Sequence, residues 1–112
     1  MSTGDKPLRW LGGVLDTPPV SREAKWEAGL LLRRLQRGES LGMPESRPMP
    51  AIGKRVHELR VRDDGARVTW RIVYRVDHEA VLVVHWWAKK TEQTAKRDLD
   101  LCKRRLRAYD AR

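Results

Sequence analysis

A chain of 112 residues, with 40% apolar and 35% charged side chains, is the size of one domain with one core, here residues 1–112. Lys and Arg outnumber Asp and Glu by 24 to 15, and the formal charge of +9 favours acidic partners such as nucleic acid. A lone cysteine excludes an internal disulfide framework; with no signal-peptide core and no apolar run able to span a bilayer, it points to a cytoplasmic protein without membrane association.

In chain order, Leu8-Arg9-Trp10-Leu11 predicts a short first strand ended by Gly12-Gly13. Pro18 and Pro19, followed by Ser21 and Glu23, mark a helix start. Ala24, Ala28, Leu31, Leu32 and Leu35 then recur at helical spacing, one apolar stripe running to about Gly38. Arg22, Lys25, Arg33, Arg34 and Arg37 occupy its other faces. Residues 38–53, with Pro44, Pro48 and Pro50 and no periodicity, read as a surface loop.

The period then changes. In His57-Glu58-Leu59-Arg60-Val61-Arg62, Leu59 and Val61 alternate with Glu58, Arg60 and Arg62, and Asp63-Asp64-Gly65 signals a turn. In the next strand Val68, Trp70, Ile72, Tyr74 and Val76 share one side, while Arg67, Thr69, Arg71, Val73 and Arg75 share the other. After a turn at Asp77-His78-Glu79, residues 81–88 are apolar almost throughout, as in a strand covered on both sides. Ala95, Leu99, Cys102, Leu106 and Tyr109 give a last helix, with Thr94 as its expected cap. The expected class is α+β: a compact, mostly antiparallel sheet with helices packed on one face. The other face would display Arg60, Arg62, Arg67, Arg71 and Arg75.

Neighbouring strands lie roughly 5 Å apart, so outward arginines on paired strands repel one another unless an anion lies across them. A guanidinium offers a planar fork of donors matched to phosphate oxygens. An exposed strand face must be polar in any case, and a single arginine needs no further explanation. Five arginines, extended by Lys89-Lys90-Thr91, favour binding of a polyanion. His57, His78 and His85 are the acid–base candidates; His85 shares a parity with Trp87, and Trp86 and Trp87 point to opposite faces. No metal-ligand spacing, phosphate loop or dinucleotide motif occurs, so neither a metal nor another cofactor is expected. Without metal, the open route on such a surface is attack of an RNA 2′-hydroxyl on the adjacent phosphate.

Across nearly its whole length the sequence resembles the RelE/HigB-like toxins of type II toxin–antitoxin systems, in the phage-derived branch of the RelE/ParE superfamily. The blocks that bear the resemblance are Lys6-Pro7-Leu8-Arg9-Trp10-Leu11-Gly12, Leu35-Gln36-Arg37-Gly38-Glu39, Arg47-Pro48-Met49-Pro50-Ala51-Ile52-Gly53 and His57-Glu58-Leu59-Arg60. They continue with Thr69-Trp70-Arg71-Ile72-Val73-Tyr74-Arg75, Ala88-Lys89-Lys90-Thr91 and Cys102-Lys103-Arg104-Arg105-Leu106. The resemblance implies a RelE-like fold and a metal-independent endoribonuclease that cuts mRNA in the ribosomal A site, inhibiting translation. It also implies neutralisation by a helix-turn-helix antitoxin. By position, Arg60, Arg71 and Lys90 match the basic residues that contact mRNA or the scissile phosphate. Arg62, Arg67, Arg75, Lys89, Tyr74 and His85 complete the expected RNA-binding set. His85-Trp86-Trp87 departs from the family pattern, which leaves the proton-transfer residue open. Two alternatives stand beside this reading: a ParE-like toxin that poisons DNA gyrase, and a catalytically silent relative that binds only RNA or an antitoxin.

Overall fold

The computed structural model describes residues 5–17, 19–89 and 93–112. Its elements are β1 (Leu8–Trp10), α1 (Arg22–Gln36), β2 (Ser46–Pro48), β3 (Val56–Asp63), β4 (Val68–Val76), β5 (Val81–Lys89) and α2 (Lys96–Asp110). They form an α+β domain whose five strands run in the order β1-β5-β4-β3-β2. β2 to β5 pair antiparallel and β1 adds parallel to β5, so the sheet is mixed but mostly antiparallel, as in a RelE-like fold. β2, three residues inside the expected loop, is too short to show an alternation.

α1 begins where the sequence places it. Ser21 is the N-cap and its Oγ accepts from the Ala24 N–H at 3.1 Å. The stripe Ala24, Ala28, Leu31, Leu32 and Leu35 packs on Leu59, Val61, Trp70, Ile72, Tyr74, Val81 and Val83. α2 differs from expectation in two ways. Its N-cap is Ala95, not Thr94, and no side chain closes the cap. It also packs on the opposite side of the sheet from α1, where Cys102 and Leu106 meet Val56, Val73, Leu82 and Val84. Helices therefore cover both faces rather than one, which is why residues 81–84 are apolar at every position.

Asp63 joins α1 to the sheet. Its Oδ2 accepts from the Ser21 N–H at 2.9 Å and the Trp70 Nε1–H at 2.8 Å, and its Oδ1 from the Ala66 N–H at 3.1 Å. Burial alone would raise its pKa, but these donors outweigh burial and hold the carboxyl down at about 2. At the chain's start, Lys6 and Gln36 exchange hydrogen bonds of 2.9 and 2.8 Å, fixing β1 beside the end of α1.

One irregularity sets the facing of β5. Val73 of β4 pairs with His85, but Tyr74 pairs with Val83, so Val84 is an extra residue. Val81 and Val83 face α1 before this bulge; Trp86 and Ala88 do so after it. His85, Trp87 and Lys89 are thereby turned to the other face. Among the described residues, no helix is long and apolar enough to cross a membrane.

Candidate functional site

Residues directly opposite on antiparallel strands share a face, so the α2 side of the sheet can be read in rows. Nearest the C-terminal end of α2, Val56 pairs with Arg75 and Arg75 with Leu82. The next rows are Glu58–Val73–His85, Arg60–Arg71–Trp87 and Arg62–Thr69–Lys89. The last two rows form the open end of the face.

Arg75 belongs to the covered end. Its Nε and Nη2 donate to Asp77 at 2.8 and 2.7 Å, and its Nη1 and Nη2 to Asp110 at 3.1 and 2.6 Å. The two carboxylates, Asp110 foremost, raise its pKa above the ordinary arginine value. This guanidinium, expected on the RNA-binding face, clamps the end of α2 to the sheet.

Arg71 is also enclosed. It is 2% exposed and donates to Glu58, which is 0% exposed. Arg47 reaches the same Glu58 Oε1 at 3.2 Å. Burial lowers the Arg71 pKa, Glu58 opposes that shift, and the nearby Arg60 and Arg47 reinforce it. Glu58 Oε2 and Arg71 Nε are buried with no hydrogen-bond partner among the described residues. Arg71 thus sits under the face, tied to an internal anion.

Arg60, half-buried, lies directly across from Arg71. Arg62 is exposed and its Nε is 2.8 Å from Asp64 Oδ1. Arg67 is not on the strand. It stands in the β3–β4 turn with φ of 57°, a left-handed backbone that costs a branched or long side chain energy. Even so, the turn brings it beside the others: Arg62, Arg67, Thr69 and Lys89, with Asp63, Asp64 and Val68, line a cleft of about 540 Å³. Lys90, expected at the scissile phosphate, lies outside the described residues, as does Thr91.

Tyr74 faces the other way. It is buried on the α1 side, its hydroxyl 2.7 Å from Ser46 Oγ and its ring stacked on His57 at 5.6 Å. Desolvation raises its pKa. Tyr74 and His57 therefore share no face with the arginines.

His85 lies at the boundary between the covered and open ends. Its Nε2 is 2.8 Å from Asp98 Oδ1, its Nδ1 is 3.4 Å from Arg105 Nη1, and its ring stacks on Trp87 at 4.8 Å. Arg105 also donates to the Val84 carbonyl at 2.8 Å, so α2 fixes the imidazole from both edges. Trp86 turns inward, edge-on to Trp70 at 5.7 Å, leaving Trp87 as the tryptophan of the basic side. Cys102 lies on the buried face of α2, and burial foremost pushes its thiol up to about 12, which keeps it unreactive.

Sequence reasoning missed Glu58, Arg47, Asp98 and Arg105 as parts of this region. Glu58 carried a readable signal, a lone carboxylate among arginines of one strand parity. Asp98 carried another, an acid one helical turn before Cys102 on the buried stripe. Among the described residues, no group of His, Cys, Asp or Glu is placed to hold a metal ion.

No curated protein and no solved structure matches the chain. Residues 18–107, which span α1 through nearly all of α2, match the family model described as Phage derived protein Gp49-like (DUF891), a RelE/HigB-type toxin family of toxin–antitoxin systems, and the chain belongs to that family.

Proposed function

We propose that the chain is the toxin of a toxin–antitoxin pair and acts as a ribosome-dependent mRNA endoribonuclease in the cytoplasm, held inactive by a helix-turn-helix antitoxin. The observation that bears most on this reading is the open basic end of the sheet, with Arg60, Arg62, Arg67 and Lys89 beside Trp87. Cations that track a phosphate backbone, next to an aromatic ring on which a base can stack, suit a single RNA strand.

In this reading the 2′-hydroxyl gives up its proton as its oxygen attacks the adjacent phosphorus, the bond to the 5′-oxygen breaks, and a 2′,3′-cyclic phosphate forms while the leaving oxygen takes up a proton. Arg60 and Lys90 neutralise the charge that builds on the phosphate. Arg62, Arg67 and Lys89 hold the flanking backbone. His85, oriented by Asp98, is the nearest imidazole to this face and the candidate for moving the proton. Arg71 supports the site from below through Glu58, and Arg75 and Tyr74 serve the fold.

Mapping of transcript 5′ ends after brief induction tests the reading. Wild type should give new ends at codon-phased positions in translated messages, and Arg60→Ala should abolish them while accumulating as folded protein. DNA damage with intact transcripts would instead indicate a gyrase-directed toxin.

A further inference from the structure

The outer side of α1 presents two large apolar side chains that the fold does not use. Trp26 is 71% exposed and Leu30 is 51% exposed. They lie one helical turn apart and so are neighbours on the helix surface. Together with Thr17, Arg22, Lys25 and Gly29 they line a shallow groove of about 640 Å³.

Gly29 supplies a second observation. Glycine inside a helix weakens it relative to alanine, and a Cβ at position 29 would meet no atom within 4 Å. Packing within the domain therefore gives no reason for glycine there. A partner backbone passing closely between Trp26 and Leu30 does give one.

Charge narrows the occupant. The two charged side chains of the groove, Arg22 and Lys25, are both basic. Further along α1 the cations are already engaged: Arg33 with Asp5 at 2.9 Å, and Arg34 and Arg37 with Glu39 at 2.9 and 3.5 Å. A nucleic acid needs a continuous basic track, which these internal pairs interrupt. A second copy would bring Arg22 and Lys25 towards their own kind. We propose that this groove docks an acidic amphipathic helix of another protein, with apolar residues seated over Gly29 between Trp26 and Leu30, and carboxylates directed to Arg22 and Lys25. The groove shares no lining residue with the basic cleft, so the inference is independent of RNA cleavage.

The test titrates the full chain with a short helical peptide bearing leucines at helical spacing flanked by glutamates, and with the same peptide carrying lysines for the glutamates. Tryptophan indole N–H resonances report the site, with the Trp26 signal assigned from Trp26→Phe. The expected result is a shift of the Trp26 signal alone, with binding about tenfold weaker for the lysine peptide. Gly29→Ala should raise the melting temperature and yet weaken the acidic peptide about tenfold. Equal binding of both peptides, shifts confined to other tryptophans, or undiminished binding by Gly29→Ala would overturn the proposal. So would a concentration-dependent dimer abolished by Trp26→Ala, which assigns the groove to a second copy. A Trp26 shift on adding polyuridylate, with none on adding peptide, would assign it to RNA and overturn it equally.

Discussion

Arg60 and Arg71 stand opposite each other on paired strands, yet they differ in what holds them. Arg71 is sealed against Glu58, so truncating it leaves a buried carboxylate without its counter-ion. Arg71→Ala should destabilise the domain by about 3–5 kcal/mol, a loss that urea unfolding measures. Arg60→Ala, at a half-buried position, should stay within about 1 kcal/mol of wild type while abolishing RNA cleavage. If Arg71→Ala unfolds at the wild-type midpoint, the Glu58 pair is not what anchors it. Strand parity was enough to group Arg60, Arg62 and Arg71 on one side of the sheet. Parity says nothing about depth, and depth separates a guanidinium that can meet phosphate from two that are spent on Glu58, Asp77 and Asp110.

At the level of elements, Asp63 links the start of α1 to the β3–β4 turn and to Trp70. Its carboxyl titrates at about 2 in the fold against 3.8 ordinarily. Between those values the unfolded chain takes up a proton that the folded chain does not, so stability falls as pH falls through that window and is complete above it. Asp63→Asn should flatten this part of the acid-unfolding curve and cost about 2–4 kcal/mol at neutral pH, read from denaturant midpoints. α2 offers the opposite case, since Ala95 leaves its first N–H groups without a side-chain acceptor. Ala95→Asp should add about 1 kcal/mol, visible as a higher melting temperature. The helices and the three long strands were legible because their periods of 3.6 and 2 are sustained. The side on which α2 packs was readable only from the unbroken apolar run in β5, which demands cover on both faces. Nothing in the spacing of Thr94 and Ala95 told which of them would begin the helix.

For the whole molecule, basic residues line both the cleft at the β3–β4 turn and the groove on α1. The basic cleft and the α1 groove share no lining residue, so loss of one should spare the other. If Arg60, Arg62, Arg67 and Lys89 each meet one phosphate, binding of a single-stranded RNA should weaken with salt at a log–log slope of roughly −3. Arg62→Ala and Arg67→Ala should each make that slope shallower by about 0.7, as fluorescence anisotropy can follow. A slope unchanged by both substitutions would remove the cleft from the RNA path. The sheet also behaves as a tape with a reading frame. The extra residue at Val84 shifts that frame once, so every side chain from His85 to Lys89 faces as it does because of one inserted position. Paired as an ordinary position of the strand, Val84 would turn His85 and Lys89 into the α1 core and push Trp86 out to the basic side. Which residue of β5 is left unmatched therefore decides the face of all those that follow it.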